Sequence, residues 1–203
     1  MIKLKICVDM DKEEDYLNSM AKAGYMLRSY NSLGFYTFEP GKPQELHYKI
    51  DYRVFKNKRD FQQYRQLFQD SGWVHVCGSS CSGGQYFLPA NNNKYSAEIF
   101  SDLESKAARF KRLSNQSMFA FIITICYLAA FILTNDFNFI KLGYLTPGLW
   151  EKSGSAFWFS FLFETPFVIF RFLPLILIFS LTIIYAYWAY KARELYNQKK
   201  PAG

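Results

Sequence analysis

Ser117 to Thr134, SMFAFIITICYLAAFILT, runs for eighteen residues without a charge, and Ala156 to Tyr190 is a further thirty-five residues of mainly apolar sequence. Runs of this length constrain the fold more than any other feature. At about 1.5 Å of rise per helical residue, the first matches a hydrocarbon layer of about 30 Å. Backbone crossing such a layer has to satisfy its own hydrogen bonds, so a helix is expected. The second run is roughly twice what one crossing needs, and Glu164-Thr165-Pro166, Arg171 and Pro174 interrupt it. The expected arrangement is a first span over 117–134 and an external loop over 135–171, with an aromatic interfacial or re-entrant segment at 156–163. A second span over 172–190 and a basic tail over 191–203 follow.

Charge sets the orientation. The net charge of +7 is concentrated beside the apolar runs, with Lys106, Arg109, Lys111 and Arg112 before the first and Lys191, Arg193, Lys199 and Lys200 after the last. Flanking basic residues of this kind orient membrane proteins with their positive ends inside. They predict a multi-pass protein of the plasma membrane with both termini cytoplasmic and the lipid bilayer as its first partner. Direct nucleic-acid binding is not expected from this distribution. Cys7, Cys77, Cys81 and Cys126 make no disulfide framework at this length, and cytoplasmic thiols are kept reduced. The opening MIKLKICVDMDKEED has no apolar core of signal-peptide length and turns acidic, so no cleaved targeting segment is expected.

Residues 1–93 read differently. Ile2, Leu4, Ile6 and Val8 alternate with Lys3, Lys5 and Cys7, the period of a half-buried strand. Asp11 with Glu14 resembles a capping box, Leu17, Met20 and Ala21 give a helical stripe, and Gly24 ends it. Tyr25–Tyr30 and Phe35–Phe38 then read as strands around Asn31-Ser32-Leu33-Gly34. The order recurs: an alternating strand over 46–54, a helix from about Lys58 stopped by Gly72, and strands at Trp73–Cys77 and Gln85–Leu88 around Ser-Ser-Cys-Ser-Gly-Gly. Shifted by 48 positions, Leu4, Ile6, Tyr16, Met20, Gly24 and Tyr25 fall under Tyr52, Val54, Tyr64, Phe68, Gly72 and Trp73, an internal repeat in which residue types agree. The expected fold is α+β: two fused strand-helix-strand-strand units forming an antiparallel-rich sheet with both helices on one face. A connector and juxtamembrane helix over 94–116, capped by Ser101 and Glu104, lead to a two-helix transmembrane hairpin.

The blocks KICVDMDKEEDYLNSMAKAGY, KIDYRVFKNKRDFQQYRQLFQDSGW and EIFSDLESKAARFKR, in this order, resemble an uncharacterised bacterial family known as a domain of unknown function, DUF2812. The resemblance covers about residues 1–112. It implies no particular activity; it implies a membrane-tethered accessory factor, associated with PadR-type repressors in Firmicutes and so with regulation or stress response. The paired units also resemble gyrase-inhibitor-like ligand-binding domains, an analogy of fold only.

Candidate sites are few. His47, Lys49, Asp51 and Arg53 share one face of one strand, and Lys3 and Lys5 of the equivalent strand are expected nearby. Such a stripe suits an anionic ligand or a protein partner, with Arg53 as the bidentate anchor; the competing reading is a solvated face of cross-strand ion pairs. Glu164 and Arg171 are polar candidates at the membrane, either functional or anchoring at the outer interface. His75, Cys77 and Cys81 lack zinc-ligand spacing, and Ser79–Gly84 lacks the Lys and the following helix of a P-loop. No metal or cofactor is expected. No nucleophile with its base, and no paired acid, points to an enzyme. The expected function is a non-enzymatic, membrane-anchored sensory or regulatory module that binds a protein partner, such as a transcriptional regulator, or a small ligand. The alternative is a small subunit or assembly factor of a membrane complex, acting through the hairpin.

Overall fold

A computed structural model of the chain describes residues 1–90, 98–134 and 143–201. The chain divides into two compact bodies, Met1–Asn115 with Tyr190–Gly203, and Gln116–Ala189. The first body opens with β1 (Ile2–Leu4), α1 (Met10–Lys22), β2 (Tyr25–Tyr30) and β3 (Phe35–Pro40). It continues with β4 (Lys49–Tyr52), α2 (Lys58–Asp70), β5 (Trp73–Cys77) and β6 (Gly84–Pro89). The result is an α+β domain of two three-stranded antiparallel sheets, ordered β1-β3-β2 and β4-β6-β5.

The two modules share local details. Helix α1 starts behind Asp9 and α2 behind Asn57, each side chain accepting a hydrogen bond from a first-turn N–H. Each helix stops just before a glycine at φ +85°, Gly24 and Gly72, a conformation that other residues adopt at a cost. Each second strand carries a bulge, between Leu27 and Ser29 in β2 and between His75 and Cys77 in β5. The N–H of Gly41 returns to Gly24 O at 2.8 Å, and that of Ala90 to Gly72 O at 2.9 Å. The α1 cap is Asp9, not the expected pair Asp11 and Glu14; their carboxylates go elsewhere, as described below.

Packing separates the modules. Tyr16 of α1 meets Tyr36 and Phe38 of β3 edge-on, while Tyr64 and Phe68 of α2 meet Phe87 of β6. Helix α1 buries Met10, Glu13, Glu14, Leu17, Met20 and Ala21, whereas only Tyr64 of α2 is buried. The alternation in β1 marks a strand but assigns its faces wrongly. Ile2, Leu4 and Ile6 are 68%, 60% and 62% exposed, while Lys5 lies over the Tyr16 ring at 3.6 Å and Lys3 reaches Met20. Lysine stems cover apolar surface while their ammonium groups stay in water, so the basic face of β1 is the one that meets α1.

Helix α3 runs without a break from Leu103 to Thr134, joining the expected juxtamembrane helix to the first apolar run. Asp102, rather than Ser101, receives the first-turn N–H of Ser105 at 2.6 Å. Helix α4 is continuous over the 46 residues Gly154–Lys199, with Pro166 and Pro174 inside it. The aromatic segment 156–163, expected as a separate interfacial or re-entrant element, forms its first turns. A proline removes one helical hydrogen bond and need not end the helix. Much of the expected connector and part of the expected external loop lie outside the described residues. Both helices are long and apolar enough to cross a membrane, and 6% of the most apolar window of each is buried, too little for the core helix of a soluble protein.

Candidate functional site

The acidic start of α1 is where distant parts of the first body meet. Helical spacing puts Asp11, Glu14 and Asn18 on one face, against the outer edge of β4. Among the described residues strand β4 pairs with β6 on one side only, so alternate residues turn their backbone groups away from the sheet. Side chains satisfy them. Asn18 Oδ1 accepts from Tyr48 N–H at 2.7 Å, Glu14 Oε1 accepts from Ile50 N–H at 3.1 Å, and Arg109 Nη1 donates to Ile50 O at 2.6 Å. One helical turn on, Arg112 Nε donates to Tyr52 O at 2.6 Å.

These side chains also pair with each other. Arg109, fully buried, donates to Glu14 at 2.7 Å and to Asp11, with Phe100 and Phe110 rings beside its guanidinium. Its Nε is buried without a hydrogen-bond partner among the described residues. Lys199, at the end of α4, binds Asp11 and lies 3.9 Å from Asp9. Thus the start of α3 and the end of α4 hold one acidic face of α1. Desolvating such charges is expensive, so the arrangement depends on every partner being present.

A second buried acid points into the domain. Glu13 Oε1 accepts the hydroxyls of Tyr36 and Tyr86, both at 2.5 Å, joining α1 to β3 and β6. Tyr30 packs between those rings, 4.9 Å from Tyr36 and 5.0 Å from Tyr86. Burial raises the Glu13 carboxyl above the ordinary carboxylate range, against the two tyrosine hydrogen bonds that favour the charged form.

The four residues of the stripe His47–Arg53 have different surroundings. Lys49 lies between Glu14 at 3.4 Å and Glu98 at 3.3 Å. Asp51 is buried, accepting Tyr64 OH at 2.8 Å and pairing with Arg112. His47, half-buried, lies with Asp15, Asn18 and Lys22 at the side of α1. Arg53, just past β4, is exposed, and its guanidinium lies 5.7 Å from the Tyr64 ring centre and 5.6 Å from that of Phe55. Lys3 and Lys5 lie against α1, as above. In the second body, Glu164 is buried and accepts the N–H of Thr146 at 3.0 Å and that of Leu145. Arg171 donates to Gly143 O at 2.8 Å and lies 3.7 Å from Glu164. Both hold the segment 143–146 against α4.

Two of the thiols are held in their neutral form by burial. Burial pushes the Cys77 thiol up to about 12 and raises Cys7 as well. His75 Nε2 is engaged by Gln85 Oε1 at 2.9 Å. Among the described residues, no group of three or more His, Cys, Asp and Glu is placed to hold a metal ion.

An α+β domain of two three-stranded antiparallel sheets, held to the start of one long apolar helix and to the end of another, is the class that fold and site define. The chain belongs to the family described as protein of unknown function (DUF2812), which it matches over residues 9–122, more than half of its length. No curated protein and no solved structure matches it.

Sequence reasoning missed Glu14 and Arg109 because they are 95 positions apart. The signal in the sequence is the acidic cluster Asp9, Asp11, Glu13, Glu14 and Asp15, opposite in charge to a basic run whose place beside an apolar stretch also indicates membrane orientation. Replacing Arg109 with Ala leaves buried Glu14 with Lys49 alone, 3.4 Å away, and is expected to cost about 3 kcal/mol. The paired change Arg109→Met with Glu14→Gln should cost clearly less than the sum of the single changes, as read by urea unfolding of the detergent-solubilised chain. Glu13 gives a test by pH. Its folded pKa is raised, so the folded chain holds that proton more tightly than the unfolded one. Its contribution to stability is greatest below the ordinary carboxylate range and is lost as pH rises through the raised value. Glu13→Gln should remove that part of the fall in the unfolding midpoint with pH.

Proposed function

We propose that the chain is a non-enzymatic, membrane-anchored sensory or regulatory module whose α+β domain binds a protein partner or small ligand in the cytoplasm. The observation that carries this reading is the double attachment of α1, to the start of α3 through Arg109 and to the end of α4 through Lys199. A passive tether needs one flexible connection. Here any change in the spacing of the two helix ends is felt at α1, and through Glu13 at both sheets. α3 and α4 are the membrane anchors in this reading, and α1 is the coupling element. The two modules are taken as copies of one repeat, whose surfaces have since diverged.

The partner surface in this reading centres on Arg53. It lines an open groove of about 570 Å³ with Val54, Lys56, Asp60, Gln63 and Leu67. A guanidinium over aromatic rings, beside exposed aliphatic side chains, suits a carboxylate-bearing partner. The rival reading, a subunit of a membrane complex acting through the hairpin, is favoured by exposed apolar side chains such as Phe119, Leu133, Phe159 and Phe170. Contact with lipid accounts for these equally well.

Purification of the full chain from native membranes in mild detergent, with identification of what accompanies it, separates the two. Arg53→Ala should reduce the co-purifying partner at least tenfold with an unchanged circular dichroism spectrum; undiminished recovery would defeat the assignment. Orientation is read at Cys81, which is exposed. In a Cys126→Ser background, a membrane-impermeant maleimide should label Cys81 only after the cells are permeabilised. Labelling of intact cells would place the domain outside.

A further inference from the structure

Strand β4 and the start of α3 run side by side in the same direction. Arg109 donates to Ile50 O and Arg112 to Tyr52 O, so three residues of helix accompany two of strand. The extended path goes on past Tyr52, with the N–H groups of Arg53 and Phe55 donating to Gly83 O and Ser80 O, both at 2.8 Å. At that ratio Val54 lies level with Asn115, the last residue of α3 in the first body, and Lys56, Lys58 and Arg59 follow at the same end. Helix α4 comes back in the opposite direction, Tyr196 meeting Lys111 and Lys199 meeting the Phe110 ring. Both long apolar helices therefore join the body at the end that carries this basic run.

Most of the basic residues that flank the apolar runs already have carboxylate partners. Lys106 pairs with Glu98, Arg109 with Glu14, Arg112 with Asp51, Lys191 with Glu194 and Lys199 with Asp11. By contrast, Lys56, Lys58 and Arg59 are exposed and pair with no carboxylate among the described residues. Asp60, which follows them, is the one acid between 53 and 60. Lys58 and Arg59 stand in the first turn of α2, where the helix dipole disfavours cations, so their charge does not serve the helix. The described residues on either side of 91–97 lie away from this run. Ala90 N–H donates to Gly72 O beyond the far end of α2, and Glu98 pairs with Lys49 at the start of β4.

We infer that Lys56, Lys58 and Arg59 form a docking surface for the anionic headgroups of the bilayer that α3 and α4 enter. Each cation held close to such a surface favours docking about fivefold. A basic run at the end where the apolar helices leave the body meets the bilayer before it meets any polyanion in solution. The inference rests on the reading of α3 and α4 as membrane anchors. It leaves Arg53 to its own groove, which Lys56 also borders.

The test uses the full chain with Cys126→Ser, labelled with a fluorophore at exposed Cys81, whose neighbour Ser80 accepts the N–H of Phe55. It is reconstituted in lipid nanodiscs of phosphatidylcholine alone or with phosphatidylglycerol, each containing a lipid with a quencher on its headgroup. A chain that does not elute with the discs overturns the anchor reading, and this inference with it. Quenching is expected to rise with phosphatidylglycerol and to fall as salt is added. Lys58→Gln with Arg59→Gln, an exposed pair outside the Arg53 groove, should lower the ratio of docked to free domain about tenfold with an unchanged circular dichroism spectrum. Lys58→Arg with Arg59→Lys should keep it. Quenching that is equal in the two lipids, or that the glutamine pair leaves unmoved, overturns the inference while the anchors stand. A fluorescent oligonucleotide bound by the native chain and not by the glutamine pair, with quenching unmoved, assigns the run to nucleic acid and also overturns it.

Discussion

The outer edge of β4 is the constraint on which the first body depends. An edge strand that is buried has to find partners for every outward N–H and C=O, because water is no longer there to supply them. Ile50 turns both groups outward and meets a carboxylate from α1 and a guanidinium from α3. The charges that satisfy the backbone also satisfy each other. A neutral edge cap would close the strand equally well, but it would not tie α3 to α1. The ion pair joins three elements that are far apart in sequence, and Lys199 adds a fourth.

From this follows a difference in how α1 and α2 are buried. Helix α1 is covered on two sides, by its own sheet and by β4, and so buries glutamates as well as leucine and methionine. Of the residues of helix α2 only Tyr64 is buried, and Gln62, Arg65, Gln66 and Gln69 are exposed. At the other end, the outward face of β1 shows Ile2, Leu4 and Ile6.

Much of the architecture was legible because it is local. Period-two alternation located the strands, the stripes ending at Gly24 and Gly72 located α1 and α2, and the two apolar runs located the long helices. The caps were off by a few residues, since Asp9 stands two before Asp11 and competes for the same turn. The breaks expected at Glu164-Thr165-Pro166 and Pro174 are absent, because a helix tolerates a proline where its neighbours keep their bonds. Of the candidate residues, Arg53 is exposed as expected. Asp51 was read as facing solvent, yet Tyr64 and Arg112 enclose it.

The sequence by itself determined the two-part organisation, the order of strands and helices, and the presence of two helices able to cross a membrane. These depend on periodicity, length and turn chemistry within short windows. Only the tertiary structure decided which face of β1 is buried, and that Asp51 and Arg109 are interior groups rather than surface charges. It also decided that α1 holds both helix ends. A charge is assigned to the inside or the outside by the groups that surround it in space, and those groups come from positions that no local pattern connects.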